Sequence, residues 1–124
     1  MAIGEQCEIV IVDDDAGVRD SLDALLRVKG YRCEHFADAE SFLRQDKDSE
    51  SAVILMDYSL GATSGLDAIK LLRARGDTRP VIMITAHGDI ELAVRAMRAG
   101  ASDFIEKPWD KDTLFLAIGR AVER

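Results

Sequence analysis

Ile9-Val10-Ile11-Val12-Asp13-Asp14-Asp15 is a run of four β-branched residues stopped by three carboxylates. A run this short is no helix, and without polar alternation it reads as a strand covered on both faces, as in a parallel sheet packed between helices. Two further runs repeat the pattern: Ala52-Val53-Ile54-Leu55-Met56 stops at Asp57, and Val81-Ile82-Met83-Ile84 stops at Thr85. A weaker one, Asp103-Phe104-Ile105-Glu106, stops at Lys107-Pro108, while Tyr31 to Phe36 alternates polar and apolar residues as an edge strand does.

The intervening segments carry helical spacing. Val18, Leu22, Leu25 and Leu26 share a face, with Lys29 in the last turn and Gly30 as the C-terminal cap. A short helix starts at about Asp38 with Phe42 and Leu43 inward. Leu66, Ile69 and Leu72 line a helix that ends near Gly76, and Ile90, Ala93, Val94 and Met97 line one from about Asp89 to Gly100. Leu114, Ala117, Ile118, Ala121 and Val122 line the last, begun near Asp110. Strict alternation of five strands with five helices predicts an α/β fold. The expected form is a doubly wound five-stranded parallel sheet of flavodoxin-like (βα)5 type with strand order 2-1-3-4-5, in one domain over residues 1–124.

A chain of 124 residues has room for one such domain. No apolar stretch approaches the ~20 residues of a membrane helix, and the N-terminus shows neither the basic start nor the apolar core of a secretory signal, so a cytoplasmic setting without membrane contact is expected. Cys7 and Cys33 match no zinc or redox spacing and read as reduced structural residues. The net charge of −7 argues against nonspecific nucleic-acid binding by this domain. Its distribution is uneven: residues 1–62 carry six Lys or Arg against fourteen Asp or Glu, and residues 63–124 carry ten against nine.

Ligands of open parallel sheets bind beyond the carboxyl ends of the strands, so the residues that stop the runs converge on one rim. They bring an acid pair, a lone acid, a hydroxyl and an ammonium. Clustered carboxylates repel unless a cation lies among them, and hard oxygen donors favour Mg²⁺, with Mn²⁺ as a substitute. Asp57, alone at the end of a fully apolar run, is the candidate nucleophile toward a phosphoryl group; Thr85 can donate a hydrogen bond to a phosphoryl oxygen, and Lys107 can pair with another. Asp15 is expected to cap the following helix instead.

Val12-Asp13-Asp14-Asp15, Met56-Asp57 with Ser64-Gly65 downstream, Ile84-Thr85-Ala86 and Phe104-Ile105-Glu106-Lys107-Pro108 together resemble the receiver domains of two-component response regulators, over roughly Glu8 to Val122. Ile84 to Asp89 and Ala93 to Gly100 are most similar to receivers of the FixJ and NtrC groups. The resemblance implies that Asp57 accepts phosphate from a sensor histidine kinase, without the chain being an enzyme in the turnover sense. It further implies that Asp13, Asp14, Asp57 and the Ser59 carbonyl hold the metal, that Thr85 and Lys107 bind the phosphoryl group, and that Lys107–Pro108 is cis. Phe104 would move with Thr85 as a switch, and Ser59 and His87 would tune hydrolysis. Phosphorylation would remodel the surface of the fourth helix, fifth strand and fifth helix, permitting a homodimer. DNA would be reached only indirectly, through an output domain absent from this chain; the alternative is a stand-alone receiver or phosphorelay intermediate. Two positions depart from the family pattern: Leu60-Gly61 replaces Met-Pro, which predicts a more mobile loop over Tyr58 to Ser64, and Trp109 stands where Phe is frequent.

Other chemistries fit less well. A flavodoxin-type electron carrier would cradle phosphate where Asp13-Asp14-Asp15 would repel it. A haloacid-dehalogenase-type phosphatase places its nucleophile and second Asp two residues apart on the first strand. A phosphate-independent interaction domain would lack one of the five key residues, and all are present.

Overall fold

The computed structural model describes residues 8–45, 53–86, 88 and 90–123. Ten elements alternate along the chain: β1 (Glu8–Val12), α1 (Ala16–Val28), β2 (Arg32–Phe36), α2 (Ala39–Gln45), β3 (Val53–Asp57), α3 (Gly65–Ala74), β4 (Val81–Thr85), α4 (Ile90–Ala99), β5 (Asp103–Glu106) and α5 (Lys111–Val122). The strands form one sheet in the order β2-β1-β3-β4-β5, every pair parallel, as the alternation predicts. All residues of β3 and β4 are buried, whereas β2 and β5 at the edges each expose part of theirs. The uninterrupted apolar runs are thus the strands with a neighbour on each side and a helical layer over each face.

Side chains alternate between two cores. Val10, Val12, Ile54, Met56, Val81 and Met83 face α2, α3 and α4, where Phe42, Ile69, Leu72 and Ala96 meet them. Ile9, Ile11, Val53, Leu55, Ile82 and Ile84 face α1 and α5, packing on Leu22, Leu26, Leu114 and Ile118. Helix starts are fixed by side-chain caps: Asp15 accepts from the Gly17 and Val18 amides, Ser64 from Asp67 and Asp110 from Thr113. Asp38 accepts from the Ser41 amide at 2.6 Å at the start of α2.

The sequence reading of α4 needs correction. Of the stripe Ile90, Ala93, Val94 and Met97, only Ala93 is half-buried, while Ile90, Val94 and Met97 are 84%, 42% and 48% exposed. The buried residue is Ala96, with Leu92 and Ala99 half-buried beside it. Two stripes with the same i, i+4, i+7 spacing run along this helix, and the one with small residues faces the sheet. The longer side chains are left outside.

The C-terminal end of α4 is held tightly. Gly100 has φ +117, and a Cβ there would meet the Arg73 side chain. Arg73 donates to the carbonyls of Asp77, Arg79 and Gly100 at 2.8, 2.9 and 2.7 Å, so one guanidinium joins α3, the entry to β4 and the exit of α4.

Candidate functional site

The strand order reverses between β1 and β3, and the carboxyl ends of these two strands carry the acidic residues. Asp13 follows β1 directly; its amide donates to the Phe36 carbonyl at 3.1 Å, which ties the start of the β1–α1 loop to β2. Asp13 is 2% exposed and accepts at both carboxylate oxygens, from the Asp15 amide at 2.9 Å and from Lys107 Nζ at 3.2 Å. Its carbonyl accepts from Arg19 Nη1 at 2.6 Å. Asp14 beside it is exposed, and Asp15 turns away to cap α1 as expected.

Asp57 closes β3 and is 5% exposed. Lys107 Nζ lies 3.4 Å from its Oδ1, so one ammonium serves Asp13 and Asp57 together. Asp13, Asp14 and Asp57 each offer an oxygen within 4.8 Å of the others. Three acids this close need compensation. Burial, then the Asp13 charge, pushes the Asp57 carboxyl up to about 6, with Lys107 opposing and Asp14 adding to the rise. Burial pulls the Lys107 ammonium down, but Asp57 and Asp13 outweigh it and hold the group above its usual range.

Lys107 enters from β5. Its amide donates to the Thr85 carbonyl at 2.6 Å, and the Lys107–Pro108 peptide is cis. Thr85 is 1% exposed at the end of β4, next to Ile84, which pairs with Asp57 in register. Met83 pairs with Phe104 and Thr85 with Glu106. Alternation then puts Thr85 and Phe104 diagonally adjacent on the α4 face of the sheet. Phe104 is half-buried at the edge of that core and borders an open groove of about 480 Å³ that runs along Lys107, Pro108 and Thr113. Trp109 packs on the opposite core as an apolar anchor.

The loop after Asp57 is anchored despite lacking the family's proline. The Tyr58 amide donates to the Ile84 carbonyl at 2.8 Å, and Gly65 donates back to the Tyr58 carbonyl at 2.9 Å. Leu60 is 3% exposed in the α2–α3 core, and Thr63 Oγ1 donates to Glu40 Oε2 on α2. A Cβ at Gly65 would overlap the Asp57 carbonyl oxygen and approach Met83 Sδ to 3.1 Å, so only glycine lets α3 begin this close to the strand end. Ser59 lies exposed between these anchors. His87 and Cys7 lie outside the described residues, while Cys33 is half-buried with its thiol pushed up to about 12, first by burial.

The structure thus brings together Asp13, Asp14, Asp57 and Lys107, with Thr85 beside them on the next strand. Three contributors escaped the sequence reading: Arg19 on the Asp13 carbonyl, Glu40 on Thr63, and Glu106, whose Oε2 accepts from the Gly88 amide at 3.3 Å. Arg19 left a trace. Helical side chains lean toward the N-terminus, so an arginine one turn after the Asp15 cap points back at the acids. The other two are long-range meetings with no local signature. Chemically, an oxygen-rich cluster with one ammonium can hold a hard divalent cation, and a lone strand-end carboxylate beside it can act as a nucleophile.

Comparison with known proteins agrees. The profile described as "Response regulator receiver domain" matches residues 9–119. The transcriptional regulatory protein FixJ of Rhizobium meliloti is 42% identical over 116 residues, covering 91% of this chain and 55% of that protein. The FixJ of Bradyrhizobium diazoefficiens is 36% identical over 116 residues, covering 94% of this chain and 57% of that protein. This chain therefore spans little more than half the length of these curated relatives. Among solved structures, the response regulator StyR superposes with a TM-score of 0.87 at 37% identity, covering 95% of this chain and 60% of that one. A response regulator receiver protein from Pseudoalteromonas atlantica gives 0.86 at 33% identity, covering 94% and 97%. With sheet order, rim chemistry and these relatives in agreement, the chain belongs to the receiver domains of two-component response regulators, a family whose general function is phosphotransfer.

Proposed function

We propose that Asp57 is the phosphoacceptor of this receiver and that a sensor histidine kinase is its donor. The observation that carries the reading is the clustering of Asp57 with Asp13 and Asp14, with the Lys107 ammonium 3.4 Å from Asp57 and 3.2 Å from Asp13. In the transfer, the N–P bond of the kinase phosphohistidine breaks as a bond forms between an Asp57 carboxylate oxygen and phosphorus. The imidazole keeps the bonding electron pair and takes a proton from solvent. Lys107 moves its charge onto a phosphoryl oxygen, and the Thr85 hydroxyl donates to another. Asp13, Asp14, Asp57 and the Ser59 carbonyl would hold Mg²⁺ or Mn²⁺, which when bound offsets the charge of the carboxylates and the phosphoryl group. Both oxygens of Asp13 already accept protein hydrogen bonds, which favours Asp14 as the direct ligand and Asp13 as one acting through water. The chain acts as a substrate that assists its own phosphorylation and dephosphorylation, and Ser59 and His87 tune the second.

The output follows from the α4 face. Thr85 and Phe104 share it, so a shift of Thr85 toward the phosphoryl group opens space that Phe104 can fill. The exposed Ile90, Val94 and Met97 border a groove of about 420 Å³ on α4, apolar surface of the kind that marks contact sites. A phosphorylation-driven homodimer through α4, β5 and α5, controlling a transcriptional output domain, accounts for that surface and accords with relatives that are transcriptional regulators. The test is transfer from a phosphorylated histidine kinase, with and without chelator. Label should reach this chain in Mg²⁺ and not in excess chelator; transfer at full rate in chelator would overturn the metal assignment.

A further inference from the structure

Residues Tyr58 to Ser64 carry the Ser59 carbonyl, yet Leu60-Gly61 lacks the φ restraint of a proline. Backbone bonds of Tyr58 and Gly65 hold the two ends of the loop, and α2 holds the residues between them. Leu60 packs in the same core as Ala39 and Phe42 of α2, and Thr63, just before the Ser64 cap of α3, donates its hydroxyl to Glu40 in the first turn of α2. That helix is itself held at its far end, where Arg75 Nη2 donates to the Leu43 carbonyl at 3.0 Å and the Arg79 guanidinium lies 6.0 Å from the Phe42 ring centroid. A helix gripped at one end and joined to the loop at the other can serve as a brace. Between its two loop contacts, at Leu60 and Thr63, lies Gly61, which adds freedom instead of removing it.

We infer that Glu40 is a positioning residue for the phosphotransfer site: through Thr63 it fixes the path of the 58–64 loop, and so the aim of the Ser59 carbonyl toward the metal. Glu40 touches none of the acids and none of the reacting atoms. Its effect belongs in metal affinity, and the inference rests on the proposed metal role of Ser59. Loss of the tie leaves Asp13, Asp14, Asp57, Thr85 and Lys107 untouched, so the reaction at saturating metal should survive.

The test is the Mg²⁺ dissociation constant, measured by calorimetry on wild type, Glu40→Ala, Glu40→Gln, Thr63→Val and the Glu40→Ala/Thr63→Val pair, with labelling by acetyl phosphate as a second readout. Partners of metal ligands typically change affinity 10- to 100-fold, and Glu40 acts one link further out, so Glu40→Ala and Thr63→Val should each weaken Mg²⁺ about three- to tenfold. Glu40→Gln keeps an acceptor for the Thr63 hydroxyl and should bind like wild type. The double variant should be no weaker than either single one, because both break the same bond. Labelling rates at saturating Mg²⁺ should match wild type, putting the effect in the metal requirement and not in the chemistry. Equal affinity across all variants would overturn the inference, as would Glu40→Gln weakening binding like Glu40→Ala while Thr63→Val does not, since that pattern marks a charge effect. Should Glu40→Ala fail to fold, the near-isosteric Thr63→Val decides alone. A wild-type protein that binds no Mg²⁺ would refute the reading of the site itself, a separate result from wild type binding and Thr63→Val binding equally well.

Discussion

Asp57 is a carboxylate held where its charge is poorly tolerated, 5% exposed and beside Asp13, and its carboxyl is pushed up to about 6. The sign of the stability effect follows. An unfolded aspartate titrates near 3.9, so the folded protein takes up the proton first, and the group does not weaken the fold below about pH 4. Stability contributed by this group falls as pH rises from about 4 to 6 and is fully lost above that, by roughly 3 kcal/mol as an upper order of magnitude. In chelator at pH 7.5, Asp57→Asn should therefore be more stable than wild type by about 1–3 kcal/mol, and the advantage should shrink toward pH 4. Urea unfolding at both pH values measures it. Equal stability at pH 7.5 would show that Lys107 already cancels the repulsion. Asp57 was legible as a candidate nucleophile because it ends an apolar run alone; its tension with Asp13 was not, because that depends on how closely β1 and β3 bring their ends together.

Elements differ in how firmly they are held, and the contrast is sharpest along α4. Its C-terminal end is fixed through Gly100 to Arg73, whose guanidinium serves three carbonyls, while Ile90 at its start is 84% exposed. Arg73→Ala should destabilise the fold by about 2–4 kcal/mol, because a charge-assisted donor is removed from several carbonyls at once. Denaturant titration should show this with acetyl phosphate labelling of the folded fraction intact, since the network lies at the amino ends of the parallel strands and Asp57 at the carboxyl ends. On the outer face, Val94→Asp should change stability by no more than about 0.5 kcal/mol, as surface substitutions do. It should also abolish any beryllofluoride-induced dimer in sedimentation. Dimerisation equal to wild type would move the contact elsewhere. The strands and most helices were readable because a buried run and a single apolar stripe admit one packing. In α4 the stripes Ile90/Val94/Met97 and Leu92/Ala96/Ala99 have the same period, and periodicity alone ranks the larger side chains first. Packing against the sheet selected the smaller set.

At the scale of the whole molecule, the parallel sheet gathers its candidate chemistry at the carboxyl-end rim, while the Arg73 network fastens the opposite one. Strand ends at the switch between β1 and β3 gather the acids, the neighbouring strands bring Thr85 and Lys107 to them, and helices cover both faces. The chemical rim was visible in the sequence, since β1, β3, β4 and β5 each end at or just before a candidate site residue. The supporting contacts were not. Arg19 to Asp13, Glu40 to Thr63 and Glu106 to Gly88 join residues whose proximity exists only in the folded chain. The decisive measurement is intact-mass spectrometry after incubation with acetyl phosphate and Mg²⁺. The wild-type chain should gain a single phosphoryl group and Asp57→Asn none; undiminished labelling of Asp57→Asn would place the phosphoacceptor elsewhere and contradict the assignment.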